Sequence, residues 1–483
     1  MKSRDRDLVG AGAIFVAAMA YFASFAPWTR PVLLDAATWD YMALETARGL
    51  VPYRDVFLHK TPGAALLGAV AARIGMATAI EPVLAVHALS LVFGALAAVL
   101  LFALCRTRLP LGVSLAAAVG LFAYDEWVVS ALEGCSPKVA TVMFGLASML
   151  AAERGAAFSS SVLGGCSVLC WQPGLAFLLG SWAAILRRGE RRPLGLLAIA
   201  AASLIPSIAL LSWFAAHGAL RDFFDQAVLF NLQYIDTKAR TPLGTLRALT
   251  RTIGEWNDIE TLLAPAAIAG LVLGRRLAPG GSHVRLPVSL VVYGLIYGGM
   301  TFVSYQSWPD AILLGPIVAA LLATGLWSLL RLRLSDFAAA AAVVAVLALA
   351  AIPGARPRFH PPVDFSEQRE RFAQLAAGLS PSDRVISVSV PEFLIHTGLR
   401  NGWKWPYLWF GVDSFAADHT DGGFDGILGD LDRSPPALML VGRLWAGPER
   451  ARFEQWAAGR YEIRSVRIFP HVKRPLRMYR LKG

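Results

Sequence analysis

Long apolar runs, each bracketed by charged residues, proline or glycine, fill the first 353 positions of this 483-residue chain. A bilayer core of about 30 Å takes about 20 mostly apolar residues as helix. Runs near 8–27, 83–104, 111–130, 137–152, 157–170, 171–186, 194–216, 260–274, 286–305, 310–329 and 336–353 fit that pattern and predict about eleven transmembrane helices. The runs 157–170 and 171–186 are short. Their junction, Trp171-Gln172-Pro173-Gly174, reads either as a tight outer turn or as a kink in one longer helix. The run 62–77 is short too, carries Arg73 and opens at Thr61-Pro62-Gly63, which suits an interfacial helix on the outer side.

After Pro353 the pattern changes. Arg356-Pro357-Arg358 and Pro361-Pro362 make a stiff linker, and a charged amphipathic stretch follows at 364–379. Residues 384–390 alternate as a strand does, and 437–441, 461–469 and 476–481 are strand-like, with a helical segment near 447–457. The expected organisation is a transmembrane domain over 1–353 and a small soluble α/β domain over 354–483. The tail has no glycine-rich phosphate loop and no nucleophile elbow.

Composition agrees with a membrane protein: 56% of residues are apolar and 16% charged, with a mean hydropathy of +0.52. The formal charge of +11 does not point to nucleic acid, because much of the arginine sits in short clusters between apolar runs. With a cytoplasmic N-terminus, Arg106 and Arg108, Arg154, Arg187 to Arg192, Arg275 and Arg276, and Arg331 with Arg333 all fall inside. Lys2, Arg4 and Arg6 precede a first span that has no small-residue cleavage site and reads as a retained helix. This topology puts 28–82, a loop at about 217–259 and everything after 354 outside. Cys105, Cys135, Cys166 and Cys170 lack metal-ligand spacing and read as small buried hydrophobes.

The first outer loop, 28–82, is the least lipid-like stretch. It contains Leu34-Asp35-Ala36-Ala37-Thr38-Trp39-Asp40-Tyr41, then Pro52-Tyr53-Arg54-Asp55, then His59-Lys60-Thr61-Pro62-Gly63. An acidic residue just past a transmembrane helix suits a general base or a metal ligand. Lysine as a point charge and arginine as a two-pronged donor suit a phosphate. The plain structural alternative makes Asp35 a helix cap and Lys60 and Arg54 headgroup anchors.

That loop resembles the opening of the GT-C glycosyltransferases. These use polyprenyl-phosphate sugars and include protein O-mannosyltransferases and the lipid A aminoarabinose transferase. The likeness lies in an aspartate closely after the first span, a Tyr six residues on, Gly-x-x-Pro-Tyr-Arg-Asp, and a lysine in Lys-x-Pro. It extends to the chain's order of a catalytic first outer loop, a second acidic outer loop and an outer C-terminal domain. The resemblance implies a GT-C type polytopic α-helical membrane protein with a small extracytoplasmic α/β domain. It makes Asp35 the catalytic aspartate, although Ala36 stands where many relatives carry a second carboxylate. That leaves a divalent cation open as a cofactor. Lys60 matches the lysine that contacts the lipid-linked phosphate, with Thr61 in place of the first proline. Glu133 matches a second acidic residue near acceptor or donor sugar, with Asp125 and Glu126 competing for the role. Tyr53, Arg54, His59, Asp40, Tyr305 and Gln306 complete the implied donor site, the last two in a Tyr305–Asp310 patch that an interfacial aromatic belt explains equally well.

The implied reaction moves a sugar, with inversion, from the polyprenyl-phosphate donor to a hydroxyl of a glycan, lipid or protein acceptor. The implied place is a bacterial inner membrane with the active face periplasmic, and no nucleic acid takes part. Two other readings stand beside it: a lipid or polysaccharide transporter or flippase, and a non-catalytic envelope assembly protein. Charge concentrated at span ends rather than mid-membrane speaks against transport, His87 excepted. The run Trp403–Phe410 suits a partner, a glycan or the membrane surface, or docks the tail onto the membrane half.

Overall fold

The computed structural model describes residues 3–189, 193–234, 244, 247, 259–277, 285–304, 311–350, 363–408, 411–442, 448–467 and 475–482. The chain is a polytopic helical membrane protein. Among the described residues, four segments are long and apolar enough to cross a membrane: Asp5–Thr29, Pro82–Arg106, Pro193–Ala216 and Ile312–Leu330. The other apolar runs form shorter helices packed between them.

Helix α1 spans Ser3–Ala23, α2 Leu34–Ala47, α3 Gly63–Thr78, α4 Pro82–Arg106 and α5 Leu111–Ala123. The run expected as a single span over 111–130 is broken. Tyr124 leaves the helix, α6 restarts at Asp125–Leu132, and the two axes differ by 59°. The restart puts Asp125 and Glu126 in a first helical turn, where exposed amide N–H groups favour acidic side chains.

Helices α7 (Pro137–Glu153), α8 (Ala157–Cys170), α9 (Leu175–Arg187) and α10 (Pro193–Ala216) continue the bundle. The Trp171–Gly174 junction is a turn. Ser148 Oγ of α7 meets Ser160 O at 2.7 Å and Ser181 Oγ at 2.8 Å, so α8 and α9, on either side of the junction, both pack on α7 at this point. Further along, helix Ile259–Leu277 crosses helix Gly315–Leu330 where Gly270 and Gly325 face each other's helix backbone. A Cβ on either would strike a carbonyl, the close approach typical of membrane helices.

Helix α3 is largely apolar on both faces. Its alanines pack on α2 and α4, while Val70, Ile74 and Met76 are exposed.

The C-terminal unit holds a four-stranded sheet: β1 Val385–Val388, β2 Leu438–Val441, β3 Tyr461–Val466 and β4 Leu476–Leu481. Its order is β1-β2-β4-β3, parallel between β1 and β2 and antiparallel elsewhere. Helices Pro391–Thr397, Val412–Asp418 and Gly423–Arg433 lie between the first two strands in sequence, where the pattern had predicted no elements. Helix Phe365–Leu375 precedes the sheet, capped by Asp364 accepting from the Glu367 amide at 2.8 Å.

This unit is tied to the first loop. Gln368 bonds both the amide and the carbonyl of Val32, at 2.8 and 2.9 Å. Phe57 N donates to Lys404 O at 2.8 Å, and Asn401 N to Tyr41 Oη at 3.0 Å. Arg369 pairs with Glu81 at 2.9 Å. At the opposite end of the bundle Arg106 pairs with Asp7, also at 2.9 Å.

Candidate active site

Five elements meet beside the N-terminus of α2. Asp35 occupies the first turn of that helix and is exposed. It does not cap the helix: Leu33 is the N-cap residue and no side chain bonds the free amides. Glu133 closes α6, and burial pushes its carboxyl up to about 7. The nearby charges of Arg30 and Lys138 pull it down, and those of Asp35 and Glu126 push it up. Asp35, Arg30 and Lys138 therefore all lie within electrostatic reach of Glu133.

Trp171, in the α8–α9 turn, gathers the cations. Lys60 Nζ lies 5.2 Å from its ring centre and Lys138 Nζ 5.8 Å, and Lys60 also lies 5.1 Å from the Trp39 ring. Lys138 stands in the first turn of α7, where the helix dipole disfavours a cation.

The loop segment carrying Lys60 is braced by side chains on several elements. Tyr53 is buried, with its backbone in the left-handed region at φ 69°, a conformation that costs a non-glycine residue roughly 1–2 kcal/mol. Its Oη donates to Lys60 O at 2.8 Å. From the helical segment 220–233, Gln226 donates to Tyr53 O at 2.7 Å and accepts from Leu58 N at 3.1 Å, while Asn231 donates to His59 O at 2.6 Å. Gln226 lies in a π-helical stretch, Asp225–Leu229. Such a turn inserts an extra residue and re-aims side chains. His59 Nδ1 is hydrogen-bonded to Tyr407 Oη of the C-terminal unit.

The other expected residues lie elsewhere. Asp40 is fully buried. It binds His87 Nε2 at 2.8 Å and accepts from Cys135 N at 2.8 Å, bracing α2 against α4 and the turn before α7. Gly134 in that turn has φ 101°, and a side chain there would meet the Asp40 carboxylate. Arg54 pairs with Asp55 at 2.8 Å and donates to His217 O at 2.9 Å. Tyr305 and Gln306 lie outside the described residues. Among the described residues no three His, Cys, Asp or Glu side chains converge on a metal position.

The structure also brings in Arg30 and Lys138, which the sequence pattern had not marked, together with Trp171 of the junction and Tyr407 of the Trp403–Phe410 run. Lys138 had one signal, a cation at a helix N-terminus directly after Glu133-Gly134-Cys135-Ser136-Pro137.

The broken helical bundle, the long first loop and the sheet-containing tail together make a fold found in solved structures of other proteins. The structure superposes on ArnT from Cupriavidus metallidurans bound to undecaprenyl phosphate with a TM-score of 0.61, covering 97% of each chain at 13% identity. It matches AglB, the oligosaccharyltransferase from Archaeoglobus fulgidus in complex with an inhibitory peptide and a dolichol-phosphate, at a TM-score of 0.50 and 13% identity. That match covers 89% of this chain and 69% of AglB. No protein-family model matches the chain, and no curated protein does.

Proposed function

We propose that this chain is a membrane glycosyltransferase that moves a sugar from a polyprenyl-phosphate donor to a hydroxyl acceptor, with inversion. The observation that carries this is the meeting of Asp35 and Glu133 with two lysines on the face of Trp171, in a fold shared with an undecaprenyl-phosphate-bound protein.

The acceptor is a glycan, lipid or protein hydroxyl. As its oxygen bonds to the anomeric carbon, the bond from that carbon to the phosphate oxygen breaks. The hydroxyl proton passes to Asp35, and the phosphate leaves with both electrons of the broken bond. Lys60 and Lys138 stabilise the charge that gathers on the phosphate. Glu133 faces the sugar and acts in its ionised form. The donor's prenyl chain lies in the bilayer while its headgroup reaches the outer loop.

The topology that goes with this reading has eleven spans over residues 1–353, the N-terminus in the cytoplasm, and residues 354–483 in the periplasm of a bacterial inner membrane. Arg108, Glu153 and Arg188 meet at the end of the bundle away from the first loop, which supports that orientation.

The test is transfer of label from a panel of radiolabelled polyprenyl-phosphate sugars to a membrane extract by purified protein in liposomes. Asp35→Asn is expected to lower transfer by at least ~10²-fold with folded protein retained, the scale of a lost general base. Equal transfer by both proteins overturns the assignment.

A further inference from the structure

The segment Gly402–Leu408 lies along the loop residues Val56–Lys60. Phe57 N donates to Lys404 O, and the Phe57 ring sits 5.2 Å from Trp405 and 5.7 Å from Tyr407. Lys404 Nζ pairs with Asp222 at 2.7 Å and pins the same segment to the helix after α10. These contacts bring the Tyr407 hydroxyl of the C-terminal unit onto the loop segment that carries Lys60, where it meets His59 Nδ1.

We propose that Tyr407 is a positioning residue of the donor site. Its O–H donates to His59 Nδ1, which fixes the imidazole proton on Nε2, and Nε2–H then donates to a phosphate oxygen of the lipid-linked donor. The proposal rests on the glycosyltransferase reading above and gives the C-terminal unit a part in that same site.

Three observations support it. A phenol is a stronger donor than an imidazole N–H, and an imidazole nitrogen is a stronger acceptor than a phenol oxygen. The O–H···Nδ1 arrangement is therefore the favoured one, and the bond at one ring nitrogen sets the tautomer at the other. Burial, with the Lys60 ammonium adding to it, pushes the imidazole down to about 3, so the ring carries a single proton at neutral pH. Burial and the Asp35 charge push the Tyr407 phenol up, so it keeps its proton.

Position completes the case. His59 directly precedes Lys60, and its ring is held among Phe57, Trp39, Phe230 and Tyr407 at 5.8–6.4 Å. Its carbonyl is held by Asn231. A ring fixed on so many sides can offer one N–H in one direction, which is what recognition of a phosphate oxygen requires. A neutral donor also adds no charge beside the two lysines.

The experiment uses full-length protein in nanodiscs, with 15N-labelled histidine and undecaprenyl phosphate as the probe. Wild type is expected to show a single Nε2–H tautomer at His59. Tyr407→Phe, which keeps the ring against Phe57, is expected to show mixed tautomers and to bind undecaprenyl phosphate about five- to tenfold more weakly, the scale of one hydrogen bond. His59→Gln provides the control. If Tyr407 acts through His59, adding Tyr407→Phe to His59→Gln costs no further affinity. An unchanged His59 spectrum in Tyr407→Phe, or additive losses in the double variant, overturns the positioning role whatever the ligand. A spectrum that responds to Tyr407→Phe in a wild type that does not bind undecaprenyl phosphate overturns the phosphate contact, and with it the donor reading of the site.

Discussion

Charges gather at both ends of the helical bundle, and the two ends treat them differently. At the end away from the first loop, Glu153 has partners on every side. It accepts from Ser289 N at 3.2 Å and Ser289 Oγ at 3.1 Å, faces Arg108 at 3.6 Å, and its carbonyl accepts from Arg188. At the loop end, Lys60 and Lys138 lie over aromatic faces, and Glu133 is held high by burial with a second carboxylate near it. The first arrangement ties four segments together. The second sets two lysines on the face of Trp171 near two carboxylates, an arrangement that suits a charged ligand. The same residue types thus serve as a staple at one end and gather around an aromatic face at the other.

Breaking the loop end has the largest expected effect. Lys60→Ala is expected to lower kcat/KM for a polyprenyl-phosphate sugar by roughly 10- to 100-fold, the scale of a charge-assisted hydrogen bond to phosphate. Melting temperature is expected to stay near that of wild type. An unchanged kcat/KM would make Lys60 a headgroup anchor.

The pH profile sharpens the comparison next. Glu133 ionises only above about 7, so transfer is expected to rise with pH through that value. Arg30 and Lys138 both favour its ionised form, so Lys138→Ala is expected to move the inflection upward. An inflection that stays in place would disconnect the two residues.

At the staple, Glu153→Ala is expected to cost about 1–3 kcal/mol of stability, the penalty for buried donors left without an acceptor. Donor KM should not change. A raised KM with intact stability would erase the contrast between the ends.

The smallest effect concerns Glu392 in the C-terminal unit. Burial raises its carboxyl to about 8, and among the described residues its Oε2 has no hydrogen-bond partner. A carboxyl raised in the folded state stabilises at low pH, and that contribution is lost as pH climbs from its free value of 4.5 through 8. Melting temperature should fall across that window in wild type and stay flatter in Glu392→Gln; parallel curves would show that the carboxyl is already ionised.

Much of the fold was legible because apolar runs carry their own boundaries. Pro82, Pro137 and Pro193 each open a helix within a residue or so of the expected start, and Arg106 and Arg187 close theirs. Strands β1 to β4 fall inside the stretches that alternated. The break at Tyr124 went unread because Asp125 and Glu126, the acidic pair that opens the new helix, sit within one long apolar run. The 220–233 helix was hidden in a stretch read only as loop. In the site, Asp35, Lys60 and Glu133 stood out as charges next to apolar runs. Arg30 did not, and Trp171 and Tyr407 stood out only as parts of a junction and an aromatic run, because their meaning depends on which loops meet in space. Asp40 drew attention for the same reason as Asp35, and burial against His87 separates the two.

The bond between His59 and Tyr407 joins residues 348 positions apart. A ribosome threading this chain into a membrane releases the first loop early and the Tyr407 segment almost last. For most of synthesis the lysine segment has been made, yet the aromatic wall that fixes its neighbouring imidazole has not. Assembly of the site is thus a late event in biogenesis. A truncation that removes only the final quarter of the chain would leave every acidic and basic site residue in place and still leave the site unfinished.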